Sequence, residues 1–359
     1  MQSSYRIFTI FGISVELHFT FILFLVLLTL LQGLQAFILW VIVFSIVLIH
    51  ELFHSLTAQR FGIAVPRITL TPIGGLANIE LPEDPKKEFL ISFAGPFSNF
   101  LLMFIISLVA LYVGMPLGDL WELSVKQGIE KVNIFDLQSL LSGLFWINLV
   151  LGAFNLLPGF PMDGGRVFRA LLAFRLDYIR ATEIAVQVGR IIAFLILIWG
   201  LFANPLAIII GLFLFIAGGQ ELSVLKIRHS FAGMKLRNLA VHNVRYVHEA
   251  ATLKDFMDLV ASRDQDHYPV VDQSGKVVGI LRMTDLERMD SKDMGRLLVR
   301  DVAGKEVDVV DANLEVEKAL GTLLSKDFVL LVDAGRIIGY ITPGHLMEAS
   351  KFYGIVKKR

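Results

Sequence analysis

The 359-residue chain contains no cysteine. Disulfides are therefore excluded, and so is any thiolate metal site, so a metal here must be held by His, Asp or Glu. Charge is also scarce. Asp, Glu, Lys and Arg make up 18% of the residues, against roughly 25% in soluble domains. The charge that is present balances, 33 basic against 33 acidic residues. No electrostatic footprint for an acidic partner follows, and no nucleic acid is expected as one. The opening Met1-Gln2-Ser3-Ser4-Tyr5-Arg6 is followed by no small-residue cleavage site, and no removable leader is expected.

In place of charge there is apolar bulk. The chain is 55% hydrophobic, and its charged residues gather in the last third. That asymmetry predicts a membrane-embedded part over 1–225, a linker over 226–236 and a soluble part over 237–359. Apolar runs cover Leu17 to Leu31, Ala36 to Leu56, Glu88 to Val113, Leu137 to Leu157, Val186 to Phe202 and Leu206 to Val224. Six spans is the best count for runs of this kind. Between the second and third, residues 60–87 hold Pro66, Pro72, Gly74, Gly75, Pro82 and Pro85 around the β-favouring Arg67-Ile68-Thr69-Leu70-Thr71. This reads as short strands joined by a turn at Ile73-Gly74-Gly75. Such backbone persists at membrane depth only where it lines a wet cavity or is buried in protein. Residues 114–136 read as a polar loop.

The second run ends in Ile49-His50-Glu51-Leu52-Phe53-His54. Histidines four apart project from one face of a helix, and the adjacent carboxylate reaches a water held between them. In this pattern two histidines bind zinc and the glutamate is the general base. Ionisable residues at the end of an apolar helix cost on the order of 1–3 kcal/mol each and mark function by default. Orientation follows from the basic residues. Arg60, Arg67, Lys86 and Lys87 lie between runs two and three, Arg166, Arg169, Arg175 and Arg180 between four and five, and Lys226 and Arg228 after six. The positive-inside rule then puts both termini on the cytoplasmic side. Runs two and four both end there, which brings His50, His54 and Asp163 to one depth.

A catalytic zinc needs a third protein ligand. Glu80, Glu83 and Asp84 lie in the irregular stretch, and Asp163 follows Pro158-Gly159-Phe160-Pro161. Asp163 is favoured because the break frees the backbone to aim it at run two; the competing reading makes it an N-cap for the arginine-bearing helix that follows. Asn155 either holds the substrate backbone or a developing oxyanion, or satisfies carbonyls freed by Pro158. His18, with Glu16, reads as an interfacial residue at the entry of the first run.

Four stretches occur in order: His50-Glu51-Leu52-Phe53-His54, Pro72-Ile73-Gly74-Gly75, Ala94-Gly95-Pro96, and Asn155-x-x-Pro158-x-x-Pro161-x-Asp163-Gly164. Together they closely resemble the site-2 proteases, zinc enzymes that cut transmembrane segments, over about residues 8 to 225. The resemblance implies one Zn2+ per chain on His50, His54 and Asp163, with Glu51 as the base. It also implies Asn155 as a substrate-positioning or oxyanion residue. Residues Arg67, Ile68, Thr69, Leu70, Thr71, Ile73, Gly74 and Gly75 would lie on an edge strand that an extended substrate joins. The implied substrate is a transmembrane protein, for example a single-span regulatory protein, and the implied location is the cell membrane. Phe53 departs from the family's usual glycine, which touches packing and leaves the ligands unchanged.

The soluble part repeats with a period of about 60 residues. Ala251-Thr252-Leu253 through Gly275-Lys276-Val277-Val278-Gly279-Ile280 is echoed by Ala312-Asn313-Leu314 through Gly335-Arg336-Ile337-Ile338-Gly339-Tyr340. Each unit, 237–292 and 297–352, reads as helix, strand, turn, strand, helix. The pair, with Tyr268-Pro269-Val270-Val271-Asp272, resembles tandem cystathionine-β-synthase (CBS) domains, which often bind adenine nucleotides. The nucleotide signature is split: the first repeat keeps the carboxylate, Asp285, after Arg282, and the second keeps the hydroxyl, Thr342, before His345. Either ATP or another adenine nucleotide binds here, or the pair serves as a dimerising or docking module. The expected fold is thus a polytopic α-helical membrane domain with a short β-hairpin loop, plus a soluble α/β tandem CBS domain. Two rival functions are a CBS-gated transporter or channel and a catalytically inactive membrane scaffold. The first would need buried carboxylates along a path through mid-membrane, where the runs carry almost no charge.

Overall fold

The computed structural model describes residues 4–72, 74–77, 82–129, 131–202, 205–259, 265–286 and 295–356. Two compact units emerge, Met1–Leu222 and Ser223–Arg359.

The first unit opens with a hairpin that the sequence reading had not separated from the first apolar run. Strands β1 (Ser4–Ile10) and β2 (Ile13–His18) pair antiparallel. Their turn is carried by Phe11 and Gly12, both at positive φ. Helix α1 (Phe19–Gln32) then starts on His18, whose ring accepts from the Thr20 N–H. At 14 residues it is about 21 Å long, short of the ~30 Å hydrocarbon layer. The run from Leu17 therefore divides into a strand end and a short helix, and the six expected spans become five plus this one. The five helices long and apolar enough to cross a membrane among the described residues are α2 (Leu34–Arg60), α3 (Pro85–Tyr112), α5 (Leu137–Asn155), α7 (Tyr178–Phe202) and α8 (Pro205–Ser230). They leave large side chains such as Leu34, Phe104, Leu108, Trp199, Leu201 and Phe202 more than half exposed, a surface suited to lipid. Two shorter helices complete the set. Helix α4 (Leu117–Gln127) replaces part of the expected polar loop, and α6 (Asp163–Ala173) is the arginine-bearing helix.

Strands β3 (Arg67–Thr71) and β4 (Gly74–Ala77) extend the hairpin into a four-stranded sheet of order β1-β2-β3-β4. The β2–β3 pairing is parallel and the β3–β4 pairing antiparallel. This corrects the expected edge strand. Ile68, Thr69 and Leu70 are paired on both sides, Arg67 with β2 alone and Thr71 with β4 alone, because the unforeseen hairpin occupies the far side of β3. Among the described residues the sheet ends on this side at β4, with Gly74 and Gly75; Ile73 lies outside the described residues. Ile68 and Leu70 point into a core with Ile13, Phe21, Phe44 and Ile91, which ties the sheet to α1, α2 and α3.

In the second unit the two repeats share one topology. Val247–His248 runs parallel to His267–Val271, which forms a hairpin with Val277–Arg282; Val309–Asp311, Val329–Asp333 and Arg336–Ile341 repeat the pattern. Ile280, Phe328, Leu330 and Tyr340 pack the repeats together. The stretch expected as a linker over 226–236 is built into this unit: Ile227, Phe231 and Leu236 lie in its core.

Candidate metal centre

On α2, His50 and His54 are one turn apart and buried, at 4% and 6% exposure. Their Nε2 atoms are 3.1 Å apart, and Asp163 Oδ2 lies 3.1 Å from each. The protons on these rings follow from their other nitrogens. His54 Nδ1 stands 2.6 Å from the Ile91 carbonyl, a pure acceptor, so it is the Nδ1–H that donates. His50 Nδ1 stands 2.6 Å from Asn99 Oδ1; Asn99 Nδ2 donates to Asn148 Oδ1 at 3.2 Å, and Asn148 Nδ2 donates to the Leu144 carbonyl at 2.8 Å. That chain ends on a backbone acceptor, which fixes the direction of every bond before it. Both Nε2 atoms therefore turn lone pairs toward the Asp163 carboxylate. Three acceptors converging this closely repel one another unless an electrophile sits among them.

Zinc fits that position by two observations. Tetrahedral ligands at ~2.0–2.1 Å from a zinc stand about 3.3 Å apart, within a few tenths of the spacing here. Gly95 on α3 supplies the room: a Cβ at that position would press on the Nε2 atoms of both histidines. His50, His54 and Asp163 also form a metal-capable cluster by donor type and mutual distance.

The chain delivers these groups by local means. Asp163 is the first residue of α6, which begins behind Met162 rather than behind an Asp cap. Gly164 and Gly165 let that start fold onto the preceding loop, since a Cβ on either would strike the backbone of Leu156, Leu157, Gly159 or Phe160. On the other side of the site, Gly75 of β4 brings bare backbone against Glu51, whose Cγ a Cβ there would overlap. Glu51, the ligand triad, Gly74, Gly75, Asn155 and Arg166 all line one cavity of about 440 Å³. Asn155 ends α5, and its amide has no hydrogen-bond partner among the described residues.

Sequence reasoning missed Asn99, Asn148, the Ile91 carbonyl and the role of Gly95. A signal was present. Glu88, Ser92, Gly95 and Asn99 recur at helical spacing along one face of an otherwise apolar run, and polar residues on such a run face protein rather than lipid. In the second unit, Thr342 and His345 line a cavity of about 300 Å³ with Gln265, Asp266, His267, Asp327 and Tyr340. Asp285 is not among that cavity's lining residues. Glu83 and Asp84 stand outside the metal cluster, and Glu80 lies outside the described residues.

Comparison with known proteins agrees with this reading. The model of peptidase family M50 matches residues 36–197, and that of the CBS domain matches 236–291 and 299–351. "Zinc metalloprotease MJ0392" of Methanocaldococcus jannaschii is 33% identical over 97% of this chain and 96% of its own. "Putative zinc metalloprotease Rip3" of Mycobacterium tuberculosis is 26% identical over 88% of this chain and 81% of its own. Among solved structures, "Site-2 Protease from Methanocaldococcus jannaschii" is 35% identical, covering 61% of this chain and 95% of that one, with a TM-score of 0.44. The transporter reading is not favoured by any of these relatives. The chain belongs to peptidase family M50 and is an intramembrane zinc metalloprotease of the site-2 type with a tandem CBS domain.

Proposed function

We propose that His50, His54 and Asp163 hold one zinc ion, that Glu51 is the general base, and that the substrate is a transmembrane segment of another membrane protein. The observation that carries this is the triangle of ligand atoms at 3.1 Å with Glu51 in the same cavity. Zinc bound there supplies Lewis acidity, polarising a carbonyl and bringing the pKa of a water near neutrality.

The chain's own groups do the rest. Glu51 takes the proton from the attacking water and passes it to the leaving amine. The amide of Asn155 donates an N–H to the scissile carbonyl oxygen as charge develops there. A helical substrate hides its carbonyls in hydrogen bonds and must be held extended. The free edge of β4 offers backbone N–H and C=O groups for that pairing beside Glu51. Arg67 to Thr71 then act as the support for β4 rather than as the receiving strand. The protein is assigned to the cell membrane with both termini and the CBS pair cytoplasmic, from the distribution of its lysines and arginines. The cavity at Thr342 and His345 is the place for an adenine nucleotide, and the CBS pair is the surface for a homodimer.

The deciding experiment measures zinc content and cleavage of a single-span substrate by purified wild-type and Glu51→Gln protein. One zinc per chain in both, with cleavage lost in the variant, is the expected result. Normal cleavage by the variant would remove Glu51 from its role, and a zinc-binding wild type that cleaves nothing would favour the inactive scaffold.

A further inference from the structure

Away from the metal centre, the membrane unit buries a second set of charges. Glu88 on α3 is fully buried, and Arg169 on α6 is 2% exposed. Arg169 donates from Nε to Glu88 Oε1 at 2.8 Å, from Nη2 to the same oxygen, and from Nη1 to Glu221 Oε1 at 3.2 Å. The Tyr178 hydroxyl donates to Glu88 Oε2 at 2.9 Å. The rings of Phe160 and Tyr178 each stand 4.8 Å from the guanidinium carbon. Burying such a pair costs more desolvation than well-packed apolar residues would, so its presence argues for a geometric task rather than for stability.

The two helices it joins both serve the metal centre, whose histidines stand on α2. Glu88, Ile91, Gly95 and Asn99 share one face of α3. Ile91 orients His54, Asn99 orients His50, and Gly95 leaves room at both Nε2 atoms. On α6, Asp163 stands at the start and Arg169 nearly two turns on. The start of α6 is held by glycine-to-backbone contact; beyond that, α6 packs along α3, and the Arg169 guanidinium adds a directional tie to that packing. Apolar helix contacts tolerate small rolls and slides, whereas a planar guanidinium bonded through three nitrogens to two carboxylates admits few geometries. Metal ligation tolerates only about ±0.2 Å.

We propose that Arg169 and Glu88 are positioning residues for the metal centre, holding α6 on the face of α3 so that the Asp163 carboxylate meets both imidazoles. This rests on Asp163 being a ligand. The test uses full-length protein in detergent, with zinc affinity from chelator competition and the visible spectrum of the Co2+-substituted form as a report on ligand geometry. Arg169→Met and Glu88→Gln should weaken zinc binding about tenfold or more and alter the Co2+ spectrum. Arg169→Lys keeps the charge without the fork and should recover part of the loss.

Removing one charge strands the other, so the double variant Glu88→Leu/Arg169→Met keeps the contact apolar and should fold with the same weakened binding and altered spectrum. Wild-type affinity and spectrum in that variant, whatever its melting temperature, overturn the proposal. If the double variant is not recovered folded, Tyr178→Phe decides, and an unchanged Co2+ spectrum there overturns it too. Asp163→Ala separates the two levels. Undiminished zinc binding in Asp163→Ala refutes the ligand assignment. Weakened binding there with an unaffected Glu88/Arg169 double variant refutes only the positioning role.

Discussion

Replacing Asn99 by Ala tests whether the histidines are held by their second nitrogens. Asn99 is fully buried, and its side chain makes two bonds, to His50 Nδ1 at 2.6 Å and to Asn148 Oδ1 at 3.2 Å. Truncation leaves a buried ring N–H and a buried amide oxygen without partners. Each costs about 1–3 kcal/mol unless a water replaces the lost group. His50 also loses the bond that selects its tautomer, and its Nε2 lone pair is then no longer enforced. Partners of this kind are worth about 10–100-fold in metal affinity, or roughly 1.4–2.7 kcal/mol. Zinc affinity should fall by that factor, read by chelator competition, with a lower melting temperature as a separate effect. A double cycle localises the cause. If Asn99 acts through His50, then adding Asn99→Ala to His50→Ala should weaken binding little further. Wild-type affinity in Asn99→Ala, or full additivity in the cycle, would refute the reasoning.

The two glycines at the site should fail differently. Gly95→Ala puts a methyl against both Nε2 atoms and should abolish stoichiometric zinc, as elemental analysis would register. Gly75→Val drives a side chain into Glu51 and should lose cleavage while keeping zinc; retained activity would separate β4 from catalysis. A pH effect is expected in the CBS pair. His267 is stacked on Phe328 at 5.2 Å, and burial, with Arg282 nearby, holds its pKa below the ordinary 6.5. The unfolded chain therefore takes up the proton first. The stability associated with His267 is complete above pH 6.5 and declines as pH falls from there to the folded pKa. Thermal unfolding of the CBS unit in full-length protein should drop over that interval, and His267→Phe should flatten the drop.

How far the sequence reached depends on the range of the interactions involved. His50 and His54 were legible because helical spacing alone puts them on one face, and Asp163 because topology returns it to the same depth. Those are local rules. The edge strand was misplaced because pairing is not local: β3 takes a parallel partner from residues 13–18, and the apolar character of that segment merged with the helix behind it. The linker reading of 226–236 failed for a related reason. Lys226 and Arg228 mark the end of a span, yet Ile227 and Phe231 between and beyond them are buried in the second unit's core. A charge count sees only the former. The positioning groups were the least visible. Asn99, Asn148 and Glu88 lie in apolar runs where one polar residue shifts mean hydropathy very little, and each finds its partner 49 or 81 positions away. A membrane interior makes such residues informative, because lipid offers no hydrogen bond and a polar side chain there turns toward protein. Asn99 inside α3 and Asn148 inside α5 thus mark the wall behind His50, which a count of charges along the chain does not find.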